Sequence, residues 1–190
     1  MHFQEIDFRR NWLSQLYVAL TAMLSDIYRR LKQDEYYDGS DAREDAESIL
    51  GIAFIAAQMY IEGTYADINA ILGKAKAVPK QDLLALDVQF VTGKVTRLEL
   101  IWAIANYQKH HDTWDGWKVN DQNKKTILAL NACSINENTS NPCYTVATML
   151  WPEQQLGELR YLLALLVDWR DRVFRKYRPD DNAKVIHQMA

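Results

Sequence analysis

A polar stripe on one predicted helix is the clearest place in this sequence where side chains could do chemistry. His110 follows Asn106 by four residues and Glu99 precedes Asn106 by seven, so the three lie on one helix face. An imidazole with polar neighbours is a group that acid–base chemistry uses. The stripe also fits a solvated face, on which His110 and His111 are cations that stabilise a helix C-terminus.

The Asn-x3-His frame late on a long helix resembles the motif of the HEPN superfamily, whose ribonucleases carry Arg-Asn-x3-His. The resemblance implies a helical bundle in which His and Arg from two subunits meet and cleave RNA without a metal. Here Ala105 stands where that Arg would be, and the nearest upstream arginine is Arg97. Because charge stabilisation is usually the largest catalytic term, we expect an HEPN-like domain of this sequence to be catalytically inactive. The alternative is a homodimeric ribonuclease that uses Asn106 and His110.

The most acidic segment of the chain runs from Asp34 to Glu47. It holds seven carboxylates against one arginine, a formal charge of -6 in a chain whose net charge is -3. A nuclease presents a basic groove to its substrate, and a carboxylate cluster with interleaved tyrosines could occupy such a groove. The candidate binding residues are Asp34, Glu35, Tyr36, Tyr37, Asp38, Asp41, Glu44, Asp45 and Glu47. The alternative is that these carboxylates simply favour the positive end of a helix.

Three features together resemble the small helical immunity proteins of bacterial contact-dependent growth inhibition systems. They are the aromatic segment 101–117, the acidic segment, and a long final helix with a basic end. Such proteins bind and neutralise one toxin, often a nuclease. The resemblance implies a non-catalytic, cytoplasmic protein without a cofactor, whose partner is a cognate toxin. The candidate binding residues would then be the toxin-binding residues.

Positive charge collects near the other end of the chain. Between positions 158 and 178, six Arg and Lys residues stand against three carboxylates, a formal charge of +3. RNA binding would be one explanation of this cluster. However, Asp168 with Arg172, and Asp171 with Arg175, are spaced for ion pairs on one helix face. These pairs explain much of the cluster, so nucleic acid is not the expected partner.

Several other chemistries lack their minimum sequence elements. The chain has no GxGxxG, Walker, HExxH or GxSxG motif. Histidines and aspartates cluster near one helix end: His110, His111, Asp112 and Asp115. We expect no metal site there, because neighbouring helix positions point about 100 degrees apart. Cys133 and Cys143 lack a metal-ligand spacing, so we expect reduced thiols.

Apolar residues spaced three and four apart predict helices along most of the chain. The predicted helices cover residues 5–32, 42–72, 81–91, 94–113, 122–132, 143–150 and, from Pro152, about six further turns to 177. Asp41 with Glu44 is the predicted start of the second helix, and 134–142 is the predicted loop. Pro152 suits the first position of the last helix, which we expect to pack antiparallel on the first. No segment shows the alternation of a strand.

These elements predict an all-α fold, an HEPN-like antiparallel bundle of four long helices and two or three short ones. We expect a single domain over residues 1–190. The second helix is apolar on nearly every side between Ile49 and Ile61, which places it at the centre of the bundle. We expect Trp114 and Trp117 to form a core plug under the third helix.

Membrane association is not expected from the apolar segments of the sequence. Segment 48–61 is shorter than a bilayer crossing needs, so it is predicted to be a buried helix. The first ten residues contain no apolar block of the kind found in a signal peptide.

Overall fold

The computed structural model describes residues 7–73, 76–114, 116–151 and 157–177. Within these ranges the chain is mostly helical, with one short two-stranded sheet, which confirms the predicted all-α class. The helices are α1 (Phe8–Gln33), α2 (Gly39–Leu72), α3 (Lys80–Leu84), α4 (Arg97–His110), α5 (Lys124–Ala132), α6 (Pro142–Leu150) and α7 (Arg160–Tyr177). The strands are β1 (Phe90–Thr92) and β2 (Val95–Thr96), and a 3-10 turn, His111–Thr113, continues α4.

Helix α2 lies at the centre of the core, as its apolar sequence predicts. It packs against α1, α4, α6 and α7, and Phe54, Tyr60 and Ile61 are among its fully buried side chains. By length and composition alone α2 is apolar enough to cross a bilayer, but 61% of that stretch is buried inside the protein. Burial on several sides explains why apolar residues occur around the whole helix.

Helices α1 and α2 form an antiparallel pair joined by a short turn. Near the turn, Arg30 of α1 lies 2.5 Å from the carboxylate of Asp45 on α2. At the far end, Arg9 of α1 lies 2.5 Å from Asp67. These two ion pairs fix the register of the helices over almost the whole length of α1.

Helix α7 runs antiparallel to α1, as predicted, and packs against α2 as well. The backbone N–H of Leu159 is 3.4 Å from the hydroxyl of Thr21. At the other end of α7, Nε of Arg170 lies 3.4 Å from a carboxylate oxygen of Asp7. Helix α7 therefore lies across both members of the α1–α2 pair.

The guanidinium of Arg170 joins all three long helices in the interior. Arg170 is 4% exposed, and its Nη1 lies 3.1 Å from the carboxylate of Asp67. Asp7, the N-cap of α1, contacts the same guanidinium and also accepts a hydrogen bond from the Tyr60 hydroxyl. The ring of Phe174 covers the guanidinium at 4.3 Å. A buried cation is tolerated here because carboxylates and an aromatic face surround it.

The middle of the chain differs from the predicted helices 81–91 and 94–113. Helix α3 ends at Leu84, and α4 begins only at Arg97, while β1 and β2 pair antiparallel between them. The expectation that the chain contains no strand is therefore wrong for this hairpin. Thr96, three residues after Gly93, is the N-cap of α4. It forms a capping box with Glu99.

The side chain of Asp87 explains why α3 does not continue. Asp87 is completely buried and accepts hydrogen bonds from Arg97 Nη2 at 2.8 Å and from the Leu98 N–H at 3.3 Å. Arg172 of α7 approaches the same carboxylate at 3.8 Å. These partners require a non-helical segment that turns the Asp87 carboxylate towards the start of α4.

The last helix starts later than predicted. Pro152, its expected first residue, lies outside the described residues, and 157–159 are not helical. Gly157 disfavours a helix interior, and the buried side chain of Leu159 anchors the segment just before α7. The predicted loop is confirmed at 134–141, and α6 begins one residue early, at Pro142.

We expect Arg170→Met to lower the free energy of unfolding by about 3 kcal/mol, since it removes the buried cation beside Asp7 and leaves Asp67 paired with the partly exposed Arg9. Urea denaturation followed by circular dichroism measures this loss. Arg175→Met is the matched control on the exposed face of α7, and we expect it to change stability by less than about 0.5 kcal/mol. Equal effects of the two substitutions would contradict the role given to Arg170.

Candidate functional site

The α1–α2 turn presents most of the acidic segment to solvent. Helix α1 ends before Asp34, whose carboxylate accepts a hydrogen bond from the Tyr36 N–H at 3.0 Å. Tyr36 is 93% exposed. Glu35 and Glu44 are also exposed, and neither forms a hydrogen bond or ion pair with another described residue. The turn therefore exposes carboxylates and a phenol on one side of the molecule.

Two carboxylates of the turn hold the start of α2. Asp38 is the N-cap and accepts hydrogen bonds from the N–H groups of Ser40 and Asp41. Asp41 completes the box by accepting from the Asp38 N–H at 3.1 Å. The predicted box of Asp41 with Glu44 therefore lies three residues too late. Hydrogen bonds from the Asp41 and Ser40 N–H groups lower the pKa of Asp38, which keeps its charge in place.

Asp45 ties the turn to α1 through two partners. It accepts a hydrogen bond from the Tyr37 hydroxyl at 2.8 Å and lies 2.5 Å from Nη2 of Arg30. The Arg30 guanidinium also stacks over the Tyr37 ring at 4.4 Å. Hydrogen bonds from Tyr37 and then Arg30 lower the pKa of Asp45. Desolvation and then the Asp45 hydrogen bond raise the pKa of Tyr37 to about 12.

Glu47 points into the protein and not towards the other candidate binding residues. Its two carboxylate oxygens accept hydrogen bonds from the N–H groups of Cys143 and Tyr144, each at 2.8 Å. These are N–H groups of the first turn of α6, which have no partner inside their own helix. Burial raises the pKa of Glu47, although the two N–H groups act in the opposite direction. Glu47 is a cap for α6 supplied by α2.

An open groove of about 600 Å³ lies between α1 and α2, directly beside the turn. It is lined by Ala22, Met23, Asp26, Ile27, Arg30, Asp45 and Ile49. The lining is mainly apolar, with the two carboxylates and Arg30 among it. The sequence does not predict this groove, because its walls come from two helices whose register the sequence does not reveal.

Asn106 and His110 occupy different environments in the structure. The side-chain carbonyl of Asn106 accepts a hydrogen bond from Gln58 of α2 at 2.8 Å. His110 is exposed at the end of α4, where its ring stacks with Trp114 at a centroid distance of 6.3 Å. Arg97 is engaged with the buried carboxylate of Asp87. The structure therefore gives Asn106 an interior partner and leaves His110 at the surface.

An aromatic cluster surrounds Tyr107 at the end of α4. Tyr107 stacks with His111 at 5.0 Å and with Trp117 at 5.4 Å, and it meets Trp114 edge-on at 6.2 Å. Both tryptophans are half-buried, and Trp117 packs against the core. The predicted core plug is wrong in this respect, because the rings cover one another while one side stays open to solvent.

The basic end of α7 is largely engaged in contacts within the protein. Arg170 binds the half-buried carboxylates of Asp7 and Asp67. Arg172 approaches the buried carboxylate of Asp87 and forms the predicted ion pair with Asp168 at 2.5 Å. Arg175 donates to the backbone carbonyl of Asp171 at 3.2 Å. Part of the positive charge is thus used to hold α7 in place.

Metal-ligating side chains do not converge within the described part of the chain. No group of three or more His, Cys, Asp or Glu residues in those ranges could hold a metal ion. Cys133 and Cys143 are both buried free thiols. Burial raises the pKa of the Cys143 thiol, so it is a poor nucleophile.

Comparison of the chain with protein-family models, with curated protein sequences and with solved structures finds no match. The role of the turn and its groove is therefore inferred from the residues that form them. The arrangement contains fixed carboxylates, an exposed phenol and an apolar cleft, which are the components of a recognition surface for a cationic partner.

We expect Glu47→Ala to lower the free energy of unfolding by about 2 kcal/mol, because two N–H groups at the start of α6 lose their acceptor. Urea denaturation is the measurement. Glu44→Ala, an exposed substitution on the same helix, is the control and should change stability by less than about 0.5 kcal/mol. If Glu47→Ala leaves the free energy of unfolding unchanged, the capping role is disproved.

The pKa of Tyr37 should fall from about 12 towards its usual 10.0 in Asp45→Asn, which removes the charged acceptor of its proton. Since the folded-state pKa is the higher one, this contact stabilises the fold below pH 10, and the stabilisation is lost as the pH rises towards 12. Tyrosinate absorbance measures the titration, and Tyr37→Phe identifies the contribution of this residue. An unchanged titration in Asp45→Asn would show that Asp45 does not control the phenol.

Proposed function

We propose that this chain is a non-catalytic immunity or antitoxin-type protein that binds and neutralises a cognate bacterial toxin, a nuclease. The observation that supports the proposal is the set of exposed, fixed carboxylates beside an open apolar groove at the α1–α2 turn. A protein that occludes a basic active groove needs a surface of this kind. The proposal includes an HEPN-like arrangement of the helices and a cytoplasmic location.

The charge on the turn suits a nuclease partner. Asp38 and Asp41 keep their carboxylates at the surface while capping α2, and Glu35 and Glu44 extend the negative surface on either side. A nuclease binds the phosphates of its substrate with cationic side chains. Carboxylates on the turn would meet those cations and accelerate encounter through long-range attraction.

The rigidity of the turn favours tight association. Asp34 bonds to the Tyr36 N–H, and Tyr37 is fixed between Arg30 and Asp45. Side chains that are already ordered lose little conformational entropy when a partner binds. Tyr36 adds an exposed aromatic contact, a residue type that is enriched at the centres of interfaces.

Binding rather than catalysis is favoured by the surroundings of the polar stripe on α4. Asn106 is engaged with Gln58, Ala105 stands in place of the HEPN arginine, and His110 stacks with Trp114. The neighbouring cation of α4, Lys109, lies within the electrostatic range of Glu62 and Lys80. Because adjacent helix positions point about 100 degrees apart, it does not take the place of the HEPN arginine beside His110. Toxin blocking at the α1–α2 turn needs none of these groups.

Growth rescue tests the proposal directly. The proposal predicts a reading frame for a secreted toxin immediately upstream of this gene. We expect expression of its toxin domain to arrest bacterial growth, and co-expression of the chain to restore it. Glu35→Lys with Glu44→Lys should slow association with that purified domain about tenfold at low salt, because the attraction is reversed at two exposed positions. The association rate is measured by surface plasmon resonance, and the difference should shrink as salt is added.

Asp121→Lys with Glu137→Lys is the matched control, since both residues are exposed in the loops flanking α5 and the change in net charge is the same. An unchanged association rate in the turn variant would rule out the turn as the binding site. Absence of rescue would overturn the function itself. RNA cleavage by the purified chain that disappears in His110→Ala would establish the ribonuclease alternative instead.

A further inference from the structure

Helices α1 and α2 share an outward apolar face that no other described element covers. Five large side chains on it are between 49% and 78% exposed. They are Phe8, Trp12 and Met23 on α1, with Ile52 and Met59 on α2. We call this set the α1–α2 outer face. Exposed apolar side chains that lie together, unlike scattered ones, mark an interaction site.

Helix geometry places these residues side by side. Positions 8, 12, 19 and 23 follow one side of α1, and positions 45, 52 and 59 follow one side of α2. In the register marked by the Arg30–Asp45 and Arg9–Asp67 ion pairs, Met23 is level with Ile52, and Trp12 lies about one helical turn beyond Met59. The outer face is therefore a continuous two-helix strip, about 30 Å long from Phe8 to Arg30.

The other helices pack on different sides of α2. Gln58 reaches α4, Glu47 reaches α6 and Thr64 reaches Arg170 of α7. None of these three residues shares the side of α2 that carries Ile52 and Met59. The outer face is thus left uncovered by the described helices, and the furrow between α1 and α2 can accept a third helix.

At one end the outer face continues into the groove and then into the acidic turn. Met23 belongs to both the face and the groove, and Asp26 and Asp45 stand at the groove beside it. Beyond them lie the exposed carboxylates of the turn, among them Glu35 and Glu44. The surface is therefore apolar along most of its length and negative at one end.

We infer that this face binds an amphipathic helix of the toxin, with apolar residues at i, i+3, i+4 and i+7 and Lys or Arg residues at the end that reaches the acidic turn. The inference rests on the proposed function and specifies the partner element for the same site. Helix-in-groove binding uses an apolar strip in this way, and the carboxylates set the direction of the bound helix.

Charge favours such a helix over a second copy of this chain. Among the described residues, the cations next to the face and its groove are Arg9, Arg29 and Arg30, and they are already paired with Asp67, Asp26 and Asp45. A second copy packed on the face would therefore offer paired cations to the acidic turn, or would bring two acidic turns together. A toxin helix with a basic end neutralises the carboxylates instead.

The test uses a synthetic peptide and the methionines of the intact chain. The probe is a helical peptide of about 20 residues, with leucines along one face and lysines in its C-terminal turn. Of the five methionines, Met23 and Met59 lie on the face and Met149 lies on α6, while the other two are outside the described residues. With 13C-methyl methionine labels, we expect the peptide to shift the Met23 and Met59 resonances and to leave Met149 unchanged.

Variants and control peptides complete the test. Ile52→Glu with Met59→Glu should weaken peptide binding at least about tenfold, whereas Leu128→Glu with Met149→Glu, on exposed positions of α5 and α6, should not. A peptide with the same residues scrambled, and one with Glu in place of Lys, should bind much more weakly.

Three results would overturn the inference: no shift at Met23 and Met59, equal binding of the scrambled peptide, or a dimer in solution that Ile52→Glu with Met59→Glu disperses. The last result would show that a second copy of this chain binds the outer face. These failures are distinguishable from failure of the proposed function. If the chain rescues growth but does not bind the peptide, only the inference that the face binds a helix is refuted. If the chain binds the peptide but does not rescue growth, the proposed toxin partner is refuted.

Discussion

The arrangement of the long helices depends on one buried cation. Arg170 lies in the interior between α1, α2 and α7, and a charge in such a place must be surrounded by its counter-charges. Asp7 and Asp67 come from the start of α1 and the second half of α2, so meeting this requirement fixes both helices against α7. The inner sides of α1 and α2 are committed to this contact and to the core, and the described helices leave their outer sides exposed.

The carboxylates of the acidic segment differ in what they contact. Asp38, Asp41 and Glu47 use their carboxylates on helix N-termini, where N–H groups need acceptors and negative charge is favoured. Glu35 and Glu44 have no such task and face water. Helix capping therefore accounts for three carboxylates of the segment, and it gives the exposed ones a rigid support.

Much of the fold follows from local patterns. The three- and four-residue spacing of apolar residues predicts α1 and α2 to within a few residues, and the run of polar turn formers predicts the loop at 134–141. The β1–β2 hairpin is not predictable in this way, because strands of three and two residues are too short to show an alternation. The end of α3 is not predictable from local patterns for another reason. It depends on the burial of Asp87 against Arg172, a residue of a helix distant in the sequence.

The sequence by itself determines most of the helical segments, that α2 is central, and where negative charge is concentrated, because each depends on residues close together in the chain. Which carboxylates face solvent is decided only by the tertiary structure. Glu47 and Cys143 are 96 positions apart, and nothing in the local pattern around Glu47 distinguishes it from Glu44. The groove and the outer face likewise exist only once ion pairs between α1 and α2 set their register, since burial is a property of the packed helices and not of either one alone.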